Sequence, residues 1–319
     1  MITAVKIGFG DSAVAIGRIG HGLMMITWRD PNYPVPDEDA FEAIKAGVDS
    51  MPPGVKMMLN SGEFYGPNLS TANLKMLSRF YAKAANLRRS VTNINAELGG
   101  IKKMDLYEMA RVPQNVPLEE AISTLAALKT EGHFQHLGMS ECSAATLRKA
   151  HAILPVSIVE TEVSLWSYEE ETKKVLAVAK GLGIVVAAYS PLGRGFLAGS
   201  IKSGNEIPAG DIRRNYTRFN DEYVQHNLAL VEALEALAAK KGVTPAQLAI
   251  AWVISRGDHV VPSPALRKNA KRNLENLAAA EIKLTDADLA EVDQILTDTP
   301  IRGGRANDAV DPKLLGLWA

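Results

Sequence analysis

A tyrosine shortly after a short apolar segment is the first residue of this chain whose type and position suit chemistry. Tyr65 follows the run 55–59, which has the composition of a buried strand, and Asn60 comes directly after that run. The residues that follow the carboxyl ends of strands carry the chemistry of α/β barrels. A tyrosine there can donate a proton to a substrate oxygen. A turn with a stacking ring is the simpler alternative for a Tyr next to Gly66.

Composition excludes several classes of function. The 319 residues are 47% hydrophobic and 22% charged, which is typical of a globular protein and sufficient for one single-core domain over residues 1–319. A net charge of −1 argues against nucleic acid or an anionic membrane as a partner. Cys142 is the only cysteine, so an intrachain disulfide and a CxxC metal motif are excluded. No apolar window has the length of a membrane span. We therefore expect a cytoplasmic protein that acts on a small molecule; oligomeric state stays open.

Short apolar runs alternate with helical patterns along most of the chain. The expected strands are residues 22–26, 55–59, 104–109, 136–140, 157–162, 183–189 and 259–262. The expected helices are residues 37–48, 72–85, 87–98, 118–128, 144–153, 170–180, 225–241 and 245–255. Thr244 and Gln247 form a capping-box pattern around Pro245, which fixes the start of the last of these helices. This order predicts a (β/α)8 barrel, with an N-terminal hairpin over residues 5–9 and 14–19 and a C-terminal helix.

The expected strands are one fewer than the eight of a closed barrel. Two helical patterns follow each other with no strand between Ala85 and Leu87. One β/α unit, of about 30 residues, is therefore predicted to be missing from the numbered chain at this place, where the third strand would lie. Either a segment of the encoded protein is not part of this numbered sequence, or the strand has been lost. The first alternative is favoured, because an opened parallel barrel leaves strand edges unpaired.

Four segments resemble motifs of the aldo-keto reductases: residues 60–66, 138–141, 160–165 and 188–195. They are similar to the family's Asp-Thr-Ala-x-x-Tyr-Gly, Gly-x-Ser-Asn, Gln-x-Glu-Tyr-Ser-Leu and Tyr-Ser-Pro-Leu-Gly-x-Gly. The resemblance covers nearly the whole chain. Residues 22–29 and the Ala-Arg-Val at 110–112 bring it nearest to the fungal pyridoxal reductase branch. It implies hydride transfer from NADPH to an aldehyde, with pyridoxal as the expected substrate and pyridoxine as the product.

The same resemblance implies a catalytic set that departs from the family's Asp, Tyr, Lys and His. Tyr65 is the expected proton donor, and Asn60 stands at the Asp position. The family's Lys belongs to the missing third strand, and Ala110 stands at the His position. Because the ordinary pKa of a tyrosine is about 10, proton donation at neutral pH usually requires a nearby cation. No candidate lysine is visible in the sequence.

The cofactor residues also follow from the resemblance. They are Ser140, Glu141, Glu160, Tyr189, Ser190, Leu192 and Arg194. Glu141 and Glu160 replace the family's Asn and Gln, which hold the carboxamide of the nicotinamide. Tyr189 at a strand end is suited to stacking on a planar ring, and the small residues after it let backbone N–H groups approach a diphosphate. A core ring is the alternative role for Tyr189.

A cationic group follows the last expected strand: Arg267, Lys268, Lys271 and Arg272. Barrels often bind phosphate in this place, and Arg272 and Asn276 match the end of the family's corresponding segment. We expect the group to bind the 2′-phosphate of NADPH, although a solvated helix face explains the same charges.

Trp28 is a candidate wall of the substrate pocket, with packing at the barrel rim as the alternative. No metal is expected. Two other functions stay open. The first is an NADPH-binding protein without turnover, used for sensing or assembly. The second is a reductase of another aryl or terpenoid aldehyde, which would differ in the substrate loops.

Overall fold

The structure is a computed structural model that describes residues 4–29, 34–62, 65–67, 70, 72–74, 91, 94–96, 98, 103–112, 117–266, 270–305 and 317–318. The predicted discontinuity between Ala85 and Leu87 lies outside these residues, as does most of the two helices predicted on either side of it.

Nine strands are found within the described ranges: β1 Ala4–Ile7, β2 Val14–Gly17, β3 His21–Gly22, β4 Leu59–Asn60, β5 Leu106–Met109, β6 His136–Ser140, β7 Val156–Glu162, β8 Val185–Tyr189 and β9 Val260–Ser263. Strands β1 and β2 form the predicted antiparallel hairpin. The prediction of a strand over residues 22–26 is wrong in part. The strand ends at Gly22, and Met24–Thr27 forms a short helix.

The longer strands form one parallel sheet in the order β9, β8, β7, β6, β5. Strands β3 and β4 pair in parallel with each other. They join the larger sheet beside β9, because Gly22 N–H donates to Pro264 O at 3.1 Å and Leu266 N–H donates to Gly22 O at 2.8 Å. Parallel strands in this continuous order, each followed by a helix, form an α/β barrel. Between β4 and β5 no strand occurs among the residues that are described.

The α-helices whose bounds both lie among the described residues are α1 Met24–Thr27, α2 Asp37–Asp49, α3 Leu118–Thr130, α4 Ala144–Ile153, α5 Glu170–Leu182, α6 Asp221–Lys241, α7 Pro245–Ile254, α8 Ala270–Ala278 and α9 Asp286–Asp298. Their ends follow local rules. Thr244 and Gln247 complete a capping box at the start of α7, and Gly242 ends α6 in the left-handed conformation. The predicted C-terminal helix is confirmed as α9.

Two sets of buried side chains position the site. The main cluster lies between the sheet and the helices and includes Leu125, Val159 and Trp252. A smaller cluster fills the barrel interior, where Ile158 and Val261 meet the hairpin residue Ile16. Because successive side chains of a strand point to opposite faces, Glu160 and Glu162 of β7 continue the inward face of Ile158 towards the carboxyl end of the barrel.

Candidate active site

Asn73 connects the loop containing Tyr65 to the barrel through hydrogen bonds. Asn73 is fully buried, and its backbone N–H donates to Tyr65 O at 3.1 Å. Its side-chain amide donates to Leu23 O at 2.8 Å and to Thr27 Oγ1 at 2.6 Å, and accepts from Ser61 Oγ at 2.6 Å. Thr27 Oγ1 also donates to Tyr65 O at 2.6 Å. Sequence reasoning missed Asn73, because one Asn within a helical pattern is ordinary.

Trp28 lies beside the tyrosine, as the first residue after α1. Its ring centroid is 6.2 Å from that of Tyr65, and the two rings are tilted by 39°. The structure therefore brings together the expected proton donor and the expected wall of the substrate pocket.

The surroundings of Tyr65 oppose ionisation of its hydroxyl. Burial raises the pKa of Tyr65, the carboxyl groups of Glu160 and Glu108 raise it further, and Arg111 lowers it by a smaller amount. Arg111, a described residue, thus acts on the pKa of Tyr65 in the direction expected of the nearby cation for which the sequence offered no candidate. Its effect is outweighed by burial and the two carboxyl groups.

Asn60 reaches across the mouth of the barrel to Glu160. Its Nδ2 donates to Glu160 Oε2 at 2.7 Å. Glu160 also shares a hydrogen bond with the Glu108 side chain, and burial raises the pKa of both carboxyl groups, with that of Glu108 well above its ordinary value. Sequence reasoning missed Glu108, because nothing local to its strand shows that it faces another carboxyl group.

Ser140, Glu141, Glu160 and Tyr189 lie together at the carboxyl ends of β6, β7 and β8. In the sheet register Ser140 is opposite Glu160, and Glu162 is opposite Tyr189. Glu141 is fully buried with a left-handed φ of 52°, and its N–H donates to Glu160 O at 2.9 Å. The structure thus gathers residues that the sequence spreads over about fifty positions.

Arg305, which follows α9, inserts its guanidinium among these groups. Its Nη2 lies 2.7 and 2.8 Å from the two carboxylate oxygens of Glu141 and 3.3 Å from Tyr189 OH. Its Nε donates to Glu162 Oε2 at 3.1 Å, and the guanidinium lies over the Trp318 ring, 5.1 Å from its centroid. Sequence reasoning missed Arg305, because two preceding glycines are the only signal near it.

Arg194 is a second arginine that binds the Glu162 carboxylate, in addition to Arg305. It binds Glu162 through Nη1 at 3.1 Å and Nη2 at 3.4 Å, and it lies over the Tyr216 ring, 4.4 Å from the centroid. Burial by itself would raise the pKa of Glu162, but Arg194, Arg305 and Arg218 together lower it below the ordinary value. Glu162 is therefore a buried carboxylate held by arginines.

The segment after β8 turns sharply beside this cluster. Ser190, Gly193, Arg194 and Gly195 all have left-handed φ values, of 50°, 53°, 55° and 97°. A Cβ at residue 193 would lie 2.6 Å from Trp166 Nε1, so glycine is required there by close packing as well as by φ. Leu192 O accepts from Gly195 N–H at 3.0 Å. The result is a tight turn of small residues next to Tyr189.

The cationic group after β9 is only partly described. Arg267 and Lys268 lie outside the described residues. Arg272 is exposed on α8, and Asn276 is buried on the same helix. No cluster of three or more His, Cys, Asp or Glu side chains in the described ranges could hold a metal ion. None of the helices searched, all within the described residues, is long and apolar enough to span a membrane.

The barrel and the polar side chains at the carboxyl ends of its strands define the chain as an α/β-barrel enzyme. The chain belongs to the aldo/keto reductase family, whose model matches residues 18–297, and it is therefore a nicotinamide-dependent oxidoreductase.

Curated relatives are similar over nearly their whole length. Probable pyridoxal reductase 2 of Schizosaccharomyces pombe is 31% identical over 330 residues, covering 94% of this chain and 97% of that protein. Probable aldo-keto reductase 1 of Glycine max is 32% identical over 333 residues, covering 97% of this chain and 93% of that protein. The structure of a glycerol dehydrogenase from Gluconobacter oxydans superposes with a TM-score of 0.78 at 21% identity, covering 97% and 98% of the two chains.

The expected barrel is thereby confirmed. The match to the Schizosaccharomyces pombe protein extends over 330 positions, more than the 319 residues of this chain. It therefore includes positions at which this chain has no residue. The prediction that a β/α unit is missing between Ala85 and Leu87 remains untested, and it agrees with the excess of aligned positions over residues.

Proposed function

We propose that this protein uses NADPH to reduce pyridoxal to pyridoxine. The observation that carries the proposal is the place of Tyr65, which lies at the carboxyl mouth of a family barrel among Trp28, Asn60 and Glu160. The similarity to a protein named probable pyridoxal reductase 2 supports the choice of substrate.

The polar and aromatic groups at the mouth of the barrel are of the types that bind a nicotinamide dinucleotide. The Glu160 carboxyl group offers acceptors for an amide N–H, and Glu141, whose buried carboxylate is paired with Arg305, donates its backbone N–H to Glu160 O. Tyr189 is partly exposed at a strand end, which suits one-sided stacking of a planar ring. The left-handed turn after it suits the approach of a diphosphate to the backbone.

We therefore assign cofactor binding to one group of residues: Ser140, Glu141, Glu160, Tyr189, Ser190, Leu192, Arg194, Arg267, Lys268, Arg272 and Asn276. From the described cations of this group we assign Arg272, exposed on α8, to the 2′-phosphate of NADPH. The bound cofactor supplies the hydride. Tyr65 donates a proton to the substrate oxygen, Trp28 forms one wall of the pocket, and Asn60 orients the Glu160 carboxyl group.

One alternative is an NADPH-binding protein without turnover. The raised pKa of Tyr65 favours it, because a phenol surrounded by carboxyl groups donates its proton less readily. A third function is reduction of an aryl or terpenoid aldehyde in the same site. For each of the three we propose a small-molecule ligand and a cytoplasmic location.

The test is NADPH oxidation with pyridoxal, an aryl aldehyde and a terpenoid aldehyde, for the native chain and Tyr65→Phe. General acid catalysis contributes about 10²–10⁴-fold, and we expect kcat to fall by about 10²-fold, since water replaces part of the lost proton supply. The NADPH dissociation constant should not change. Tyr223→Phe, which removes a hydroxyl from α6, is the matched control. An unchanged kcat would remove Tyr65 from the mechanism. Binding of NADPH without turnover of any aldehyde would favour the first alternative.

A further inference from the structure

The segment that follows α9 is held against the barrel by hydrogen bonds to its backbone. Arg302 donates its N–H to Asn227 Oδ1 at 3.0 Å, and its carbonyl oxygen accepts from Asn227 Nδ2 at 2.9 Å. Gly304 donates its N–H to Thr217 Oγ1 at 2.7 Å. Asn227 is buried, so water competes little for the bonds that it makes. The path of the chain up to Arg305 is therefore fixed by its backbone, independently of the Arg305 side chain.

Gly303 brings this segment close to Arg218. A Cβ at residue 303 would overlap the Arg218 backbone, and Gly303 has a left-handed φ of 91°, so glycine is required at this position. Arg218 is itself buried, and it donates to Trp166 O at 3.1 Å and to Ser167 Oγ at 3.0 Å. The Arg305 side chain therefore starts from a fixed point two residues further along.

The Arg305 guanidinium joins the ends of three neighbouring elements. Its Nη2 lies 2.7 and 2.8 Å from the two carboxylate oxygens of Glu141, after β6, and 3.3 Å from Tyr189 OH, at the end of β8. Its Nε donates to Glu162 Oε2, at the end of β7, at 3.1 Å. A guanidinium presents its N–H groups in fixed directions, whereas a lysine ammonium is a compact point charge. The arginine fork therefore holds the three groups in one geometry, which a lysine at this position would not reproduce.

The contact with Tyr189 bears on how its ring can stack. The hydroxyl lies on the long axis of the ring, so a hydrogen bond to it limits the directions that this axis can take. Tyr189 is partly exposed at the end of its strand, and stacking on a planar ligand depends on the placement of the ring. The buried carboxylates of Glu141 and Glu162 hold the guanidinium. The guanidinium in turn holds the hydroxyl of Tyr189 from a fixed place.

We propose that Arg305 is a positioning residue for the nicotinamide ring, and that it acts through Tyr189 by holding the tyrosine ring in the orientation on which the cofactor stacks. The inference rests on the proposed function, in which the planar ring of the cofactor stacks on Tyr189. It adds to that function a residue of the segment after α9.

Two ligands separate this role from a purely structural one. NADPH carries the nicotinamide ring, whereas adenosine 2′,5′-bisphosphate carries the adenosine and the 2′-phosphate without it. Arg305→Lys keeps a positive charge beside Glu141 and removes the planar fork. In calorimetric titrations we expect the NADPH dissociation constant to rise about tenfold, as for the loss of one hydrogen bond, and that of adenosine 2′,5′-bisphosphate to stay unchanged. Arg302→Ala, at an exposed position of the same segment, is the control and should change neither constant.

Tyr189→Phe tests whether Arg305 acts through the tyrosine, because it removes the hydroxyl and keeps a ring that can stack. This variant should weaken NADPH binding by a similar factor. The double variant Arg305→Lys with Tyr189→Phe should bind NADPH no more weakly than either single variant, since both changes break the same contact. Independent effects that multiply to about a hundredfold would overturn the route through Tyr189.

Failure of the inference and failure of the proposed function give different results. If Arg305→Lys binds NADPH as the native chain does, or weakens both ligands alike, the positioning role is wrong and the proposed function stands. If urea unfolding shows that Arg305→Lys does not fold, Tyr189→Phe decides, because it leaves the ion pairs of Arg305 in place. Unchanged NADPH affinity in Tyr189→Phe would then overturn the positioning role. If the native chain binds neither ligand, the proposed function fails and the inference fails with it.

Discussion

Replacement of Arg305 by alanine should destabilise the fold far more than replacement of an exposed arginine in the same segment. Arg305 donates to both oxygens of Glu141 and to one oxygen of Glu162. These two carboxyl groups are 0% and 1% exposed, so water cannot take the place of the lost guanidinium.

The magnitude follows from what remains after the change. Glu162 keeps its ion pair with Arg194 at 3.1 Å. Glu141 keeps the hydrogen bond from the backbone N–H of Glu162 at 3.0 Å. Removal of one partner of a buried ion pair costs about 3–5 kcal/mol. Because Glu162 retains a partner and the Arg305 side chain is 11% exposed, we expect about 3 kcal/mol.

The assay is urea unfolding of the native chain, Arg305→Ala, and the double variant Arg305→Ala with Glu141→Gln. The double variant should recover part of the loss, because a neutral amide needs no counter-charge. Arg302→Ala, at an exposed position three residues earlier, is the control and should change the free energy of unfolding by less than about 0.5 kcal/mol. A loss below about 1 kcal/mol for Arg305→Ala would refute the buried ion-pair argument.

The same cluster predicts a pH dependence. The pKa of Glu162 is lowered by Arg194, Arg305 and Arg218 against the opposing effect of burial. A carboxyl group with a lowered pKa contributes stability above its unfolded pKa, about 4.3, and loses it as pH falls through the folded value. The difference in stability between the native chain and Arg305→Ala should therefore be largest near neutral pH and should narrow below about pH 4. A difference that does not change with pH would contradict this assignment.

Three further predictions concern other parts of the molecule. Asn73→Ala should cost about 1–3 kcal/mol and lower kcat, because the Tyr65 loop loses its buried amide. Urea unfolding will measure the loss of stability and NADPH oxidation the loss of kcat. Asn205→Ala, at an exposed position, is the control. Arg272→Ala should weaken NADPH binding by about tenfold or more, as expected for one charge-assisted phosphate contact, and leave NADH binding unchanged. Fluorescence titration will measure the NADPH and NADH dissociation constants. Equal effects on the two would contradict the assignment of Arg272 to the 2′-phosphate. The transcript should encode additional residues between Ala85 and Leu87 that form a strand with a lysine. Sequencing the transcript can show or exclude these residues.

The sequence by itself determined the elements whose signals are local. Strand β6 and helix α4 were predicted with their observed bounds, because a short apolar run and a helical spacing of apolar residues are each complete within a few residues. The start of α7 follows from the Thr244 capping box for the same reason. The error at residues 22–26 has the same origin, because an apolar run too short to show a period fits a strand and a helix equally well.

Only the tertiary structure decided which side chains meet at the mouth of the barrel. Arg305 contacts Glu141 across 164 positions of sequence, and Asn60 contacts Glu160 across 100. The meeting of Glu108 with Glu160 depends on strand order and register across β6. No local pattern encodes these contacts, because residues distant in sequence are brought together only when parallel strands align their carboxyl ends. The sequence therefore specified most of the longer strands and the tyrosine, and the parallel alignment of the strands placed that tyrosine beside two carboxyl groups.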